Sequence, residues 1–158
     1  MKRIIIALLS LVATSAFADI HSNNGFYVGG GVTNVKLANS PYTWTTVEAI
    51  GGYKLNPFVG GEIRIGGAGE SDPNITDYFS AYYRVESANE VGKTYLLAGY
   101  TVGSMSGTYN NFSGFTFGVG IGFVMSDNIN FNIEYKQLKD NKNNLDFSGF
   151  SACVDYRF

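Results

Sequence analysis

Between residue 25 and residue 158 this chain alternates, and alternation with charge confined to one parity is what most limits its possible folds. Residues 129–136 read INFNIEYK, with Ile129, Phe131, Ile133 and Tyr135 on one parity and Asn130, Asn132, Glu134 and Lys136 on the other. A period of two places successive side chains on opposite faces of a sheet, so the segment is a strand with one apolar and one polar face. Segments of this kind recur eight times, over residues 25–36, 44–55, 58–67, 77–87, 93–103, 113–125, 129–138 and 147–158. No stretch carries a helical period with caps, and no Pro-rich or Ser-rich linker divides the chain. Each segment is about as long as the ~9–11 residues that a tilted strand needs to cross a bilayer.

The apolar parity set collects Phe26, Val28, Val47, Tyr53, Ile63, Phe79, Tyr83, Leu96, Phe117, Ile133, Phe150 and Tyr156, with no charged member. The opposite set holds Glu48, Glu62, Arg64, Arg84, Glu86, Glu134, Lys136, Asp155 and Arg157 among Gly, Ser, Thr and Asn. Alternation by itself is symmetric, and a soluble barrel with an apolar cavity, of lipocalin type, has the same period. Three features put the polar set inside. Its small residues, such as Gly118, Gly120 and Gly122 in succession, make room for bulky neighbours in a narrow lumen. Its acids and bases nearly cancel, as charges held away from bulk water require. Tyr53, Tyr83, Tyr135 and Tyr156 stand towards the ends of the apolar set, where interfacial girdles belong. The expected fold is therefore all-β, an eight-stranded antiparallel up-and-down transmembrane β-barrel. Its lumen should be filled by ion pairs and hydrogen bonds, because eight strands enclose a space that side chains can just fill.

The N-terminus reads as a secretory signal: Lys2 and Arg3, an apolar run from Ile4 to Val12, then Ala16-Phe17-Ala18 as an A-x-A cleavage site. The expected division is a signal peptide over 1–18, cut after Ala18, and a barrel domain over 19–158. Without Lys2 and Arg3 the remaining 9 Lys+Arg face 13 Asp+Glu, a formal charge of −4 that offers no basic nucleic-acid surface. One cysteine, Cys153, excludes an intrachain disulfide; on the inward parity it reads as a small filler. Charged residues make up only 15% of the chain, where roughly 25% is usual for a soluble domain.

The connections alternate in length. Asn56-Pro57, residues 89–92 and residues 126–128 are tight turns, whereas AGESDPNIT, GSMSGTYNN and KDNKNNLD are longer polar links. With an even number of strands the short turns share one end and the long links the other, the arrangement of periplasmic turns and outer loops in outer-membrane barrels. The chain ends VDYRF, and earlier carries GFYVGGGV, GGYKLNPFVGGEI, YLLAGYTVG and GVGIGFVMSDNINFNIEYK in order. As an ordered set these resemble the OmpA-like and opacity-type small barrel family, over essentially all of residues 25–158. The resemblance implies a Gram-negative outer membrane, export by the general secretory route, and contact with outer-membrane lipid and lipopolysaccharide. It further implies that Tyr156 and the terminal Phe158 form the signal read by the barrel assembly machinery. Two departures bound the transfer: no peptidoglycan-binding domain is expected after Phe158, and the outer links are short for engaging a host receptor.

Some small outer-membrane barrels are enzymes that use a His as general base. The one His, His21, precedes the first strand at the expected periplasmic end, so no catalytic residue, cofactor or metal is expected. Glu70, Asp72 and Asp77 cluster in one outer link, with a spacing that matches no calcium loop. The expected role is structural or surface-interactive. The alternatives are a narrow channel whose ion pairs open and re-pair, and a small carboxylate-based enzyme.

Overall fold

A computed structural model of the chain describes residues 25–68, 75–88, 92–106, 111–141 and 145–158. The expected cleavage site at Ala18 lies outside these residues, as do His21, Glu70 and Asp72. Eight strands follow one another: β1 (Gly25–Leu37), β2 (Thr43–Asn56), β3 (Val59–Ala68), β4 (Ile75–Ala88), β5 (Gly92–Met105), β6 (Asn111–Val124), β7 (Ile129–Asp140) and β8 (Asp146–Arg157). Each pairs antiparallel with the next, and β1 pairs with β8, which closes the barrel. Closure leaves no strand edge unpaired, a requirement for backbone amides surrounded by hydrocarbon.

Local chemistry sets the short turns. The Asn56 Oδ1 accepts hydrogen bonds from the amides of Phe58 and Val59, each at 2.9 Å, folding the chain back at Pro57. At the β7 entrance the Met125 amide donates to the Ile129 carbonyl at 2.9 Å, and the Asn128 side chain donates to the Arg157 carbonyl at 2.6 Å. That second bond ties the turn to the end of β8.

The apolar rows face outward. Phe26, Phe117 and Phe150 are 67%, 61% and 65% exposed, whereas Arg64 and Glu134 on the opposite parity are 1% and 2% exposed. Along β6 the outward row Phe115 to Phe123 rises about 20 Å at a typical tilt, close to the ~25 Å apolar belt of membrane barrels. Tyr53, Tyr83 and Tyr156 stand at the short-turn end of this belt. Tyr135, tilted against Phe150 with centroids 4.9 Å apart, is the last apolar outward residue of β7 before Gln137 and Lys139.

Inward aromatics sit on inward glycines of the neighbouring strand. Tyr27 pairs with Gly52, Tyr78 with Gly66, Tyr82 with Gly99, Tyr95 with Gly120 and Phe112 with Gly103. A β-carbon at any of these five glycines would overlap the ring it faces. The lumen is narrow enough that a ring fits only where the opposite residue has no side chain.

Above the belt, at the end carrying the long connections, polarity inverts. Lys36, Thr43, Asp77, Asn111, Lys139 and Asp146 are outward and exposed. At the same height Leu37, Trp44, Ile75, Met105, Phe112, Leu138 and Phe147 form a buried apolar cluster inside the barrel. The expected filling of ion pairs and hydrogen bonds therefore stops below this collar. The physical reason is the change of solvent: where water replaces lipid around the wall, a sheet is stable with its apolar side chains in the core. The inversion also explains why three strands are longer than the uniform parity rule suggests: β5 runs to Met105, β6 begins at Asn111 and β7 runs to Asp140, whereas β4 begins at Ile75 instead of 77 through a register shift between Ile75 and Asp77 that turns Ile75 inward against its parity.

Candidate functional site

The candidate site is the lumen. Its geometry follows from the register, which stacks inward residues of seven strands against one another. Arg64 on β3 is the hub. Its Nη1 donates to Glu48 Oε1 at 2.8 Å and to Glu134 Oε2 at 2.7 Å, its Nη2 to Glu134 Oε1 at 2.8 Å, and its Nε to Glu62 Oε1 at 2.6 Å. One guanidinium thus holds carboxylates from β2, β3 and β7. Lys136 donates to both oxygens of Glu48, at 3.0 and 2.9 Å.

The chain of pairs continues towards the short-turn end. Arg84 Nη1 donates to Glu62 Oε2 at 2.8 Å and its Nε to Glu86 Oε2 at 3.0 Å. Glu86 also accepts from Lys54 at 2.5 Å and from Arg157 at 3.1 Å. Asp155 accepts from Lys93 at 3.1 Å, from Asn130 at 2.9 Å and from Asn132 at 2.6 Å. Tyrosines complete the carboxylates: Tyr27 donates to Glu62 at 2.7 Å, Tyr78 to Glu48 at 2.8 Å and Tyr95 to Glu134 at 2.6 Å. The Arg84 guanidinium lies 3.7 Å over the Tyr95 ring, which gives its Nη2 a π face in place of an acceptor. From β6 only Gly118, Gly120 and Gly122 reach this level, and Gly120 receives the Tyr95 ring.

All nine charged residues read from parity, Glu48, Glu62, Arg64, Arg84, Glu86, Glu134, Lys136, Asp155 and Arg157, line this network. Lys54 and Lys93 belong to it too, and their parity with Glu48 and Tyr95 was the available signal. With them the plug has five acids and six bases, where the nine alone have five acids and four bases. The donating tyrosines are harder to read, because hydropathy places Tyr with the lipid-facing rows. Tyr156 and Phe158 lie outward and exposed, with rings 5.1 Å apart in an edge arrangement.

Glu48, Glu134 and Cys153 bring ligand-type atoms within 4.8 Å of one another. Arg64 and Lys136 already occupy both carboxylates, and the Cys153 thiol donates to Glu48 Oε1 at 3.4 Å. A metal ion there would have to displace two cations, so the trio reads as part of the plug.

Above the plug lies a layer of hydroxyls. Ser80 and Thr101, Thr101 and Thr116, and Thr33 and Ser151 are each 2.8 Å apart. The apolar collar closes the lumen over this layer, with Phe112 and Phe147 rings 5.3 Å apart and Trp44 and Phe147 rings 6.5 Å apart.

A family model described as outer membrane protein beta-barrel domain matches residues 4–158. Among solved structures the chain is similar to Neisserial surface protein A, with 18% identity and a TM-score of 0.61 over 87% of this chain and 99% of that one. It is similar to Ail, the attachment invasion locus protein of Yersinia pestis, with 19% identity and a TM-score of 0.59 over 87% of this chain and 97% of that one. The N-terminal β-barrel domain of Pseudomonas aeruginosa OprF aligns with 10% identity and a TM-score of 0.65, over 86% of this chain and 100% of that one. At these identities the likeness is one of fold. No curated protein matches the sequence significantly.

Proposed function

We propose, since the chain belongs to the outer membrane protein β-barrel domain family, that it serves the envelope as a non-conducting structural and surface barrel without a catalytic step. The observation that carries this reading is the filled lumen. A continuous ion-pair network crosses it from Lys136 to Arg157, and an apolar collar covers the end above. Opening a path for ions would require breaking buried pairs, each at a cost of several kcal/mol, without new partners for the separated charges. The names of two solved relatives describe a surface protein and an attachment invasion locus protein. We extend a surface role to this chain on that likeness. The long-connection end, which the family places outside, presents exposed Lys36, Asp77, Lys139 and Asp146 to a partner.

Single-channel recording in planar bilayers tests the lumen. The wild-type protein is expected to show no discrete conductance, and Arg84→Glu to admit ions by placing a third acid beside Glu62 and Glu86. Wild-type channel events altered by that reversal would favour the second reading, a narrow channel gated by re-pairing. Shortening the connections over residues 69–74 and 142–144, followed by cell-adhesion and serum-survival assays, tests the surface role. Unchanged behaviour in both would restrict the function to envelope maintenance.

A further inference from the structure

We propose that the lumen holds a binding chamber for a small uncharged apolar molecule, or the apolar tip of a larger one, between the charged plug and the collar. A cavity of about 70 Å³ lies there, walled by Val35, Ile75, Phe112, Leu138 and Phe147 and floored by Tyr82 and Lys136. It is several times the ~10–15 Å³ that one water needs, and about half of the ~150 Å³ cavity that takes up benzene or xenon.

The wall chemistry selects the occupant. A buried water needs two to four polar partners. Ser80, Thr101 and Thr116 bond one another at 2.8 Å, Thr33 bonds Ser151 at 2.8 Å and the Tyr78 hydroxyl donates to Glu48, so these wall hydroxyls already have partners within the barrel. The Lys136 ammonium is engaged by both oxygens of Glu48. A charged ligand would lose its hydration without gaining a free counter-charge, whereas an apolar one gives up only unfavourable contact with water.

The position selects the route. Below the chamber the ion-pair plug closes the barrel. Beside it the strands pair into a closed wall, which bars a lateral path although exposed Phe79, Val102, Phe115 and Phe117 flank it on the lipid side. Entry is through the collar from the outer end, past side chains that include Ile75 and the unbranched, readily repacked Met105. A free small molecule and the end of an alkyl chain share this chemistry.

Xenon is a suitable first probe, being apolar, small and a heavy-atom quencher, and Trp44, the chain's single tryptophan, is packed in the collar. With the full-length protein folded in micelles, Trp44 emission is expected to fall saturably with xenon pressure. Thr116→Ile, which fills the cavity while Thr101 keeps its bond to Ser80, should abolish the saturable part. Leu138→Phe, a second filling variant, should do the same if Thr116→Ile folds poorly, as judged by heat-modifiable gel migration. Competition by 1-alkanols separates the two sources. Displacement by 1-octanol as well as 1-propanol indicates a chain tip with its hydroxyl left in the mouth, and displacement by 1-propanol alone indicates a free small molecule. Quenching that rises linearly with pressure, identical in wild type and both filling variants, would overturn the proposal. Conductance plays no part in this readout, so a lumen that conducts would refute the proposed function while leaving the chamber standing.

Discussion

Replacing Arg64 by methionine removes the hub of the lumen while keeping similar bulk, and the contacts indicate which carboxylate suffers. Glu48 retains Lys136 at 2.9 Å, and Glu62 retains Arg84 at 2.8 Å and the Tyr27 hydroxyl at 2.7 Å. Glu134 keeps only the Tyr95 hydroxyl at 2.6 Å, with the Lys136 ammonium 3.8 Å away. One carboxylate is therefore stranded, not three. Breaking a buried pair by deleting one partner costs about 3–5 kcal/mol, so Arg64→Met should destabilise the barrel by about that amount once. Adding Glu134→Gln removes the stranded charge and should return about half of the loss, as coupled neighbours do in double-mutant cycles. The assay is urea unfolding in lipid vesicles followed by Trp44 emission, with heat-modifiable migration as the readout if Arg64→Met fails to fold. A single variant within ~1 kcal/mol of wild type, or a double variant less stable than the single one, would refute a water-poor lumen in which carboxylates need fixed partners.

Three further outcomes follow from the same geometry. Gly120→Val should cost about 1–3 kcal/mol in the same unfolding assay, because its side chain overlaps the Tyr95 ring; Tyr95→Ala in that background should relieve the clash, and additive losses would refute the socket. Vesicles of lipids brominated on their acyl chains should leave Trp44 emission nearly unchanged, since the residue is inside the collar and 5% exposed; strong quenching would mean that the collar faces lipid. Phe158→Ala should slow assembly in membranes containing the barrel assembly machinery, read as delayed appearance of the heat-modifiable band, and an unchanged rate would remove Tyr156 and Phe158 from that role.

Legibility varied with height in the barrel. Inside the belt, parity sufficed: Glu62 and Arg64 on β3, or Glu134 and Lys136 on β7, alternate with Ile63, Ile65, Ile133 and Tyr135, and the faces separate cleanly. At the collar the same rule gave the wrong boundaries, because Met105, Phe112 and Leu138 continue the inward parity with apolar side chains, and a register shift after Ile75 turns that residue inward too. Tyr27, Tyr78 and Tyr95 were hidden for another reason. A tyrosine belongs equally to a lipid girdle or to a polar core, and only the glycine facing it across the strand pair shows which.

Sequence by itself determined the number of strands, their antiparallel order, the closed form and the membrane-facing rows. These depend on a period of two, on turn residues such as Asn56-Pro57, and on the cost of unpaired amides in hydrocarbon, all of which are local or general. Which acid meets which base was decided only by the tertiary structure. Arg64 reaches Glu134, seventy positions along the chain, because closure carries β3 and β7 to opposite sides of one narrow lumen. Pairing across a lumen depends on the height and direction of every strand at once, and no single segment carries that information.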